Sequence, residues 1–478
     1  MSDIAFQEIE LSDLSIGSPR AELALLGELL GDNSGIDMTA DRLMPEDFSV
    51  PLYGRVFAVI VREASLGRSV NAITLSPYFR DDRDFEELDA QRRLSDAARD
   101  SIGDYRPTPY LDQILSLSKR RRIVAGLSRI QAEARNLEMS VDDILSEADA
   151  TLSTIVDRAE GTHEVTGADA LGEVIAEFGL PVVGVRCGTI GQIDDLAGPL
   201  RPGQMVIVAG RPGMAKTATA VSYAIGAARA GHGTLFVSLE MSAKELGARI
   251  GSDLCFDVAQ GTGVPFEVIR DRRPSVSQTL RIREARVSFS DMPLQIVDRG
   301  GCKMATLETM IRRHKRKMAA AGRKLELVIV DYLQLLSPDQ PMRSSYEAVS
   351  EISKRIKQAA KSQGVAIMAL AQLSRSVEQR PDRRPQLSDL RDSGQIEQDA
   401  DTVIFLYREA YYTKKEEPKR GTSEWYDWSV KYAEIERHIE FICAKRRDGA
   451  EGRGAGLFFG EFMAVRGGDY YETRGESL

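Results

Sequence analysis

From about residue 20 to residue 112 the apolar positions recur at helical spacing. Ala21, Leu23, Leu25, Leu26, Leu29 and Leu30 form one run, and Leu52, Val56, Phe57, Val59, Ile60 and Val61 form another. Pro45, Pro51, Pro77, Pro107 and Pro109 punctuate the pattern. This predicts a small all-α domain over residues 1–112, a packing or docking module without the chemistry of a site. Residues 113–158 read as helical throughout, with no Pro and only Gly126 to interrupt an apolar stripe that includes Ile114, Leu117, Ile123, Leu127 and Ile130. The basic run Lys119-Arg120-Arg121-Arg122 reads as a solvated face, with phosphate contact as the alternative. Periodicity is lost between Glu160 and Gly167, so residues 113–171 are expected to be a helical linker.

The pattern changes from about residue 172. Short apolar runs (Met205–Ala209, Thr234–Leu239, Leu325–Val330, Val365–Ala371, Thr402–Tyr407 and Ile439–Ala444) alternate with longer amphipathic stretches. Continuous apolar runs are strands buried on both faces. The alternation predicts an α/β domain over residues 172–478, with a mostly parallel sheet covered by helices.

Composition narrows the functional classes. The 478 residues suit two or three domains. The balance of 63 Lys+Arg against 72 Asp+Glu, net −9, excludes coating a nucleic acid through bulk charge but leaves room for a local basic channel. Cys187, Cys255, Cys302 and Cys443 lack Cys-x-x-Cys spacing, and His163, His232, His314 and His438 are equally dispersed. Neither a zinc site nor a disulfide framework is expected. No apolar run is long enough to span a bilayer, and the first residues lack the basic and apolar segments of a signal peptide. The expected location is the cytoplasm, with no membrane partner.

The chemistry gathers where the runs end. The first enters the loop Gly210-Arg211-Pro212-Gly213-Met214-Ala215-Lys216-Thr217-Ala218, and others end in Glu240, Asp331, Gln372 and Lys445-Arg446-Arg447. Ligands of an open α/β sheet bind at the carboxyl ends of its strands. Five ends carrying polar groups therefore point to a nucleotide. The loop follows the G-x-x-x-x-G-K-[ST] pattern except at Ala215. Lys216 is suited to β- and γ-phosphates and Thr217 to Mg²⁺. Asp331 would complete the metal shell, and Glu240 would orient the attacking water.

These residues resemble the DnaB-type replicative helicases, over nearly the whole length. Ala21–Leu30 and Pro45-Glu-Asp-Phe48 resemble the family's helical domain, and Gly203–Thr217 its phosphate loop. Ser238-Leu-Glu-Met241, Val330-Asp-Tyr-Leu-Gln-Leu335, Leu370–Arg375, Asp389–Asp401 and Ala444–Gly449 follow as an ordered motif set. The resemblance implies a RecA-like motor domain, preceded by the all-α domain and the linker, that binds ATP and Mg²⁺. It makes Gln372 a γ-phosphate sensor. It makes Lys445 and Arg447 groups that reach a neighbouring subunit's nucleotide, and Arg391, Asp392 and Gly394 a loop that holds single-stranded DNA. A homohexameric ring running 5′ to 3′ and unwinding forked duplex DNA is implied, with primase and a helicase loader as partners. Arg375, Arg380, Arg383 and Arg384 lie near the DNA loop in sequence, either as DNA contacts or as solvated charges.

Three features depart from the pattern. They are Ala215, Asp448 where the family often has Asn, and the long segment 409–438, rich in aromatic residues. That segment is expected to pack as an inserted hairpin or helix rather than to stack on bases. Two other functions fit parts of the sequence: a RecA-like recombinase, and a nucleotide-binding scaffold weakened by Ala215.

Overall fold

The computed structural model describes residues 16–87, 89–100, 108–137, 144, 148, 151, 166–180, 182–390 and 394–468. The chain divides into two compact units at Phe178/Gly179.

The first unit is helical. Helices Pro19–Gly31 and Pro51–Ser65 each begin on proline, which loses no hydrogen bond in a first turn. Leu25, Leu26, Leu29, Val56, Phe57 and Ile60 meet in its core, as the helical spacing predicts. The buried Glu22 carboxylate accepts from Ser49 N at 2.7 Å and Val50 N at 3.1 Å, at the entry to the second helix. Helix Thr108–Ala134 places Leu111 and Ile114 in the same core. Its basic run is therefore only partly a solvated face. Arg121 donates to the carbonyl oxygens of Asp47 and Ile16, at 2.6 and 2.8 Å, and Arg122 pairs with the buried Asp47 carboxylate. Once its apolar turns dock, the helix lays these arginines on the Pro45–Asp47 turn.

The second unit is built on a nine-stranded sheet. Its strands are β1 (Met205–Gly210), β2 (Gly233–Ser238), β3 (Leu294–Asp298), β5 (Leu325–Asp331), β7 (Ala366–Gln372), β8 (Thr402–Tyr407), β9 (His438–Arg446), β10 (Gly452–Phe459) and β11 (Ala464–Gly467). The two-residue strands β4 (Cys302–Lys303) and β6 (Leu336–Ser337) pair separately. The spatial order is β3-β2-β5-β7-β1-β8-β9-β10-β11. The strands from β3 through β8 are parallel, and all of them except β3, which no expected run covers, carry the expected apolar runs. Helices follow β1 and β2 at Lys216–Arg229 and Ala243–Leu254, the latter opened by a reciprocal Ser242/Glu245 cap. Helices Met304–Ala320 and Ser345–Gln363 precede β5 and β7.

The sixth run departs from expectation. It forms β9, which is antiparallel to β8, with Thr402 opposite Arg446. An apolar run reads the same in either direction, and only its pairing sets its sense. Among the described residues, no helix is long and apolar enough to cross a membrane.

Candidate nucleotide site and nucleic-acid loop

Strand β1 ends at Gly210, and helix Lys216–Arg229 begins five residues after Arg211. Two left-handed residues make the turn between them, Gly213 at φ 85° and Ala215 at φ 63°, ψ 28°. Such a turn aims backbone N–H groups at one point, beside the positive end of a helix. A side chain at residue 213 would strike the Tyr411 ring, so glycine is required there on two counts. Ala215 adopts a conformation that L-residues disfavour by about 1–2 kcal/mol. Pro212 is exposed, while Met214 and Ala218 are buried.

Lys216 Nζ folds back onto the loop, donating to Gly210 O at 2.7 Å and Arg211 O at 3.3 Å. Burial lowers its pKa to about 8, against the opposing pull of Asp331 and Glu240. Thr217 Oγ1 donates to Asp331 Oδ2 at 2.8 Å. Burial also raises the Asp331 pKa, and the Thr217 hydrogen bond opposes it. Leu239 N donates to Asp331 O at 2.8 Å, which ties the exposed Glu240 to the end of β5. Gln372 stands beside Gly210 in register, and the Gln334 side chain clasps its backbone through two 3.2 Å hydrogen bonds. Four strand ends thus bring together the loop, Glu240, Asp331 and Gln372.

The fifth end does not join them. Because β9 is antiparallel, Lys445 and Arg447 lie at the amino ends of the parallel strands. Lys445 Nζ donates to Glu397 O at 2.5 Å. Arg447 pairs with Asp401 at 3.0 Å, and Asp401 accepts from Met205 N at 2.7 Å, at the start of β1. Met205 and Gly210 are the two ends of that strand, about 17 Å apart at 3.3 Å per residue. The expected convergence of five strand ends is corrected to four.

Arg391 and Asp392 lie outside the described residues; Gly394 opens the short helix Gly394–Asp399. The neighbouring arginines have partners within the chain. Arg380 pairs with Asp389 at 2.5 Å, Arg383 with Glu416 at 3.0 Å and Arg384 with Glu440 at 2.8 Å. Arg383 and Arg384 also lie over the rings of Tyr412 and Tyr407. Arg375 is exposed. The aromatic segment folds as helices Glu409–Lys415 and Ser423–Ile435. Tyr412 is buried, and Trp428 donates to Thr413 O at 2.8 Å and stacks on Tyr432. The segment is helical, as expected for an inserted helix, although helix Ser423–Ile435 has no buried residue and leaves Tyr426 exposed.

Sequence reasoning missed Gln334 and Arg249. Arg249, on the helix after Glu240, feels the charges of Glu240 and Asp331, and burial lowers its pKa. Its buried Nε lacks a hydrogen-bond partner among the described residues. Neither residue stands at a strand end; Gln334 lies inside the motif Val330–Leu335, which gave it no role, and Arg249 lies in none of the motifs.

The residues fit a nucleotide with its magnesium ion. Among the described residues no group of three or more His, Cys, Asp or Glu could hold a metal alone. One hydroxyl and one buried carboxylate, both hard oxygen donors, suit an ion that takes its other ligands from phosphates and water. Burial disfavours the Asp331 charge, and an adjacent cation would favour it.

The family model for the DnaB-like helicase C terminal domain matches residues 184–466, and that for the DnaB-like helicase N terminal domain matches residues 17–116. The chain is 30% identical to the replicative DNA helicase DnaB of Geobacillus stearothermophilus over 444 residues, covering 91% of each chain. It is 29% identical to that of Rickettsia conorii over 455 residues, 91% of this chain and 89% of the other. The solved structure of a DnaB-like replicative helicase, described with its interactions with primase, matches with a TM-score of 0.64 and 27% identity. That match covers 94% of this chain and 100% of the other.

Proposed function

The chain belongs to the DnaB-like helicase family, and from its own residues we propose how it carries out that family's ATP-dependent unwinding of DNA during replication. The motor is RecA-like. The phosphate loop 210–218 holds the nucleotide, with Lys216 on its β- and γ-phosphates. Thr217 and Asp331 hold Mg²⁺, which when bound neutralises phosphate charge. Glu240 orients the attacking water, and Gln372 senses the γ-phosphate.

One observation carries the assembly. Lys445 and Arg447 stand at the far end of the sheet from their own phosphate loop, next to Met205. In this reading they complete a neighbouring subunit's site, so hydrolysis occurs at interfaces of a homohexameric ring. There an arginine stabilises charge spreading over the transferred phosphoryl group. Self-association is also favoured by the exposed Leu171, Val174, Ile175 and Phe178 on and after helix Gly167–Ala176. Arg391, Asp392 and Gly394 hold the single strand inside the ring, and the chain's net charge of −9 limits unproductive binding elsewhere.

We assign residues 1–112 to ring assembly and to docking of primase and a loader, residues 113–171 to the linker and residues 172–478 to the motor, in the cytoplasm. Primase is suggested by the partner described for the similar solved helicase. The test is unwinding of forks with defined tails. ATP-dependent opening that needs a 5′ tail on the encircled strand is expected. A requirement for a 3′ tail reverses the polarity, and no opening of any fork removes the motor reading. Closed rings under the electron microscope are expected, whereas filaments would indicate a recombinase.

A further inference from the structure

One side chain of the phosphate loop points to a task other than phosphate binding. Arg211 is 7% exposed. Its Nη1 donates to Leu373 O at 2.9 Å and its Nε to Glu378 Oε1 at 3.0 Å. A guanidinium taken from water needs such partners, and they hold it in one geometry.

Both partners belong to one braced loop. Leu373 directly follows Gln372 and bridges to Leu390, and Ser374 N donates to Asp389 O at 3.0 Å. The ends of Leu373–Leu390 are thereby closed on each other. Within it the buried Asp389 carboxylate accepts from Arg380 at 2.5 Å and from Gln386 N at 2.8 Å, and Arg380 donates to Arg384 O at 2.9 Å. Leu390 immediately precedes the residues assigned to single-stranded DNA. A shift of the phosphate loop therefore reaches that segment through one guanidinium and its two acceptors.

We propose that Glu378 is a positioning residue: its ion pair with Arg211 makes the Leu373–Leu390 loop move with the phosphate loop, so that ATP and single-stranded DNA favour the same arrangement. The inference rests on the DNA assignment of Arg391, Asp392 and Gly394 made above. Glu378 lies outside the set of residues assigned to the nucleotide. Its side chain is 35% exposed, and its loss leaves Arg211 bonded to Leu373 O but without its carboxylate, so Glu378→Gln, which keeps an acceptor, is carried beside Glu378→Ala and the folding of both is checked by their melting temperatures.

Coupling between two sites is reciprocal, so it is read in both directions. ATP turnover is measured without and with saturating single-stranded DNA. Affinity for a labelled oligonucleotide is measured without and with a non-hydrolysable ATP analogue. Glu378→Ala should keep its DNA-free turnover while its stimulation by DNA falls about fivefold or more. The effect of the analogue on oligonucleotide affinity should fall in parallel. Glu378→Gln still accepts from Arg211 and should lie between Glu378→Ala and the unsubstituted protein. If the unsubstituted protein is stimulated and both variants are stimulated equally, the inference is overturned. It is also overturned if turnover with and without DNA falls by one common factor, the mark of a merely structural role. If the unsubstituted protein shows no response to DNA, the DNA reading itself fails and the inference falls with it.

Discussion

At residue 215 a single methyl group sets the conformational cost of the phosphate loop. The left-handed backbone there disfavours alanine by about 1–2 kcal/mol. Glycine would relieve this but would lose about 0.5–1 kcal/mol more chain entropy on folding. Ala215→Gly should therefore be more stable by up to about 1.5 kcal/mol, read as a slightly higher melting temperature, and should turn over ATP faster with the cradle uncrowded. A lower melting temperature would mean that the methyl group's packing against the core outweighs its strain. No turnover in the parent protein with single-stranded DNA, together with turnover in the variant, would favour the scaffold alternative. Lys216 makes a second prediction. Its pKa of about 8 keeps the ammonium form, which attracts phosphate, only below that pH. Affinity for an ATP analogue should hold below pH 8 and weaken about tenfold per unit above it. Lys216→Met should bind weakly and show no such slope in titrations on either side of pH 8. For folding the sign is opposite. The unfolded chain binds the extra proton between about pH 8 and the ordinary lysine value of 10.5, so this group's contribution to stability rises with pH across that window.

At the scale of elements, the edge of the sheet is fastened to helix Lys216–Arg229 by a buried charge. Arg466 on β11 donates to Asp253 at 2.7 Å, and Ser222, on the helix that starts at Lys216, donates to the same carboxylate. Ser222 Oγ also accepts from Val465 N at 2.9 Å. Arg466→Met should cost the motor unit about 3–5 kcal/mol, because it leaves Asp253 buried and without its cation. The midpoint of denaturant unfolding checks this, and an unchanged midpoint would mean that water already compensates the pair. These edge strands were also the least legible in the sequence. β10 alternates Gly452, Gly454 and Gly456 with other residues, and at 456 a side chain would strike the Phe441 ring. β11 carries the buried Arg466, which breaks its apolar run, and β3 is short and only partly buried. The central strands were legible because burial on both faces leaves an unbroken apolar run in the chain itself.

For the whole molecule, the decisive question is whether one chain holds a complete site. Arg447→Ala should bind ATP nearly normally yet lose hydrolysis as a pure assembly. Mixing it with Glu240→Ala subunits should restore part of the activity, because some interfaces then combine an intact base with an intact arginine. Verified mixed rings without recovery would show that Arg447 does not act on a neighbour. At this scale the sequence by itself determined the ordered motifs, the nucleotide loop and the carboxylates at strand ends. Each depends on residues adjacent in the chain or on the period of one element. Tertiary structure decided which groups share a site. It turned β9 over and sent Lys445 and Arg447 to the opposite end of the sheet. It also gave Arg380, Arg383 and Arg384 partners within the chain. Strand direction and ion pairing are settled by hydrogen bonds and burial between segments far apart in the chain, and no local pattern records them.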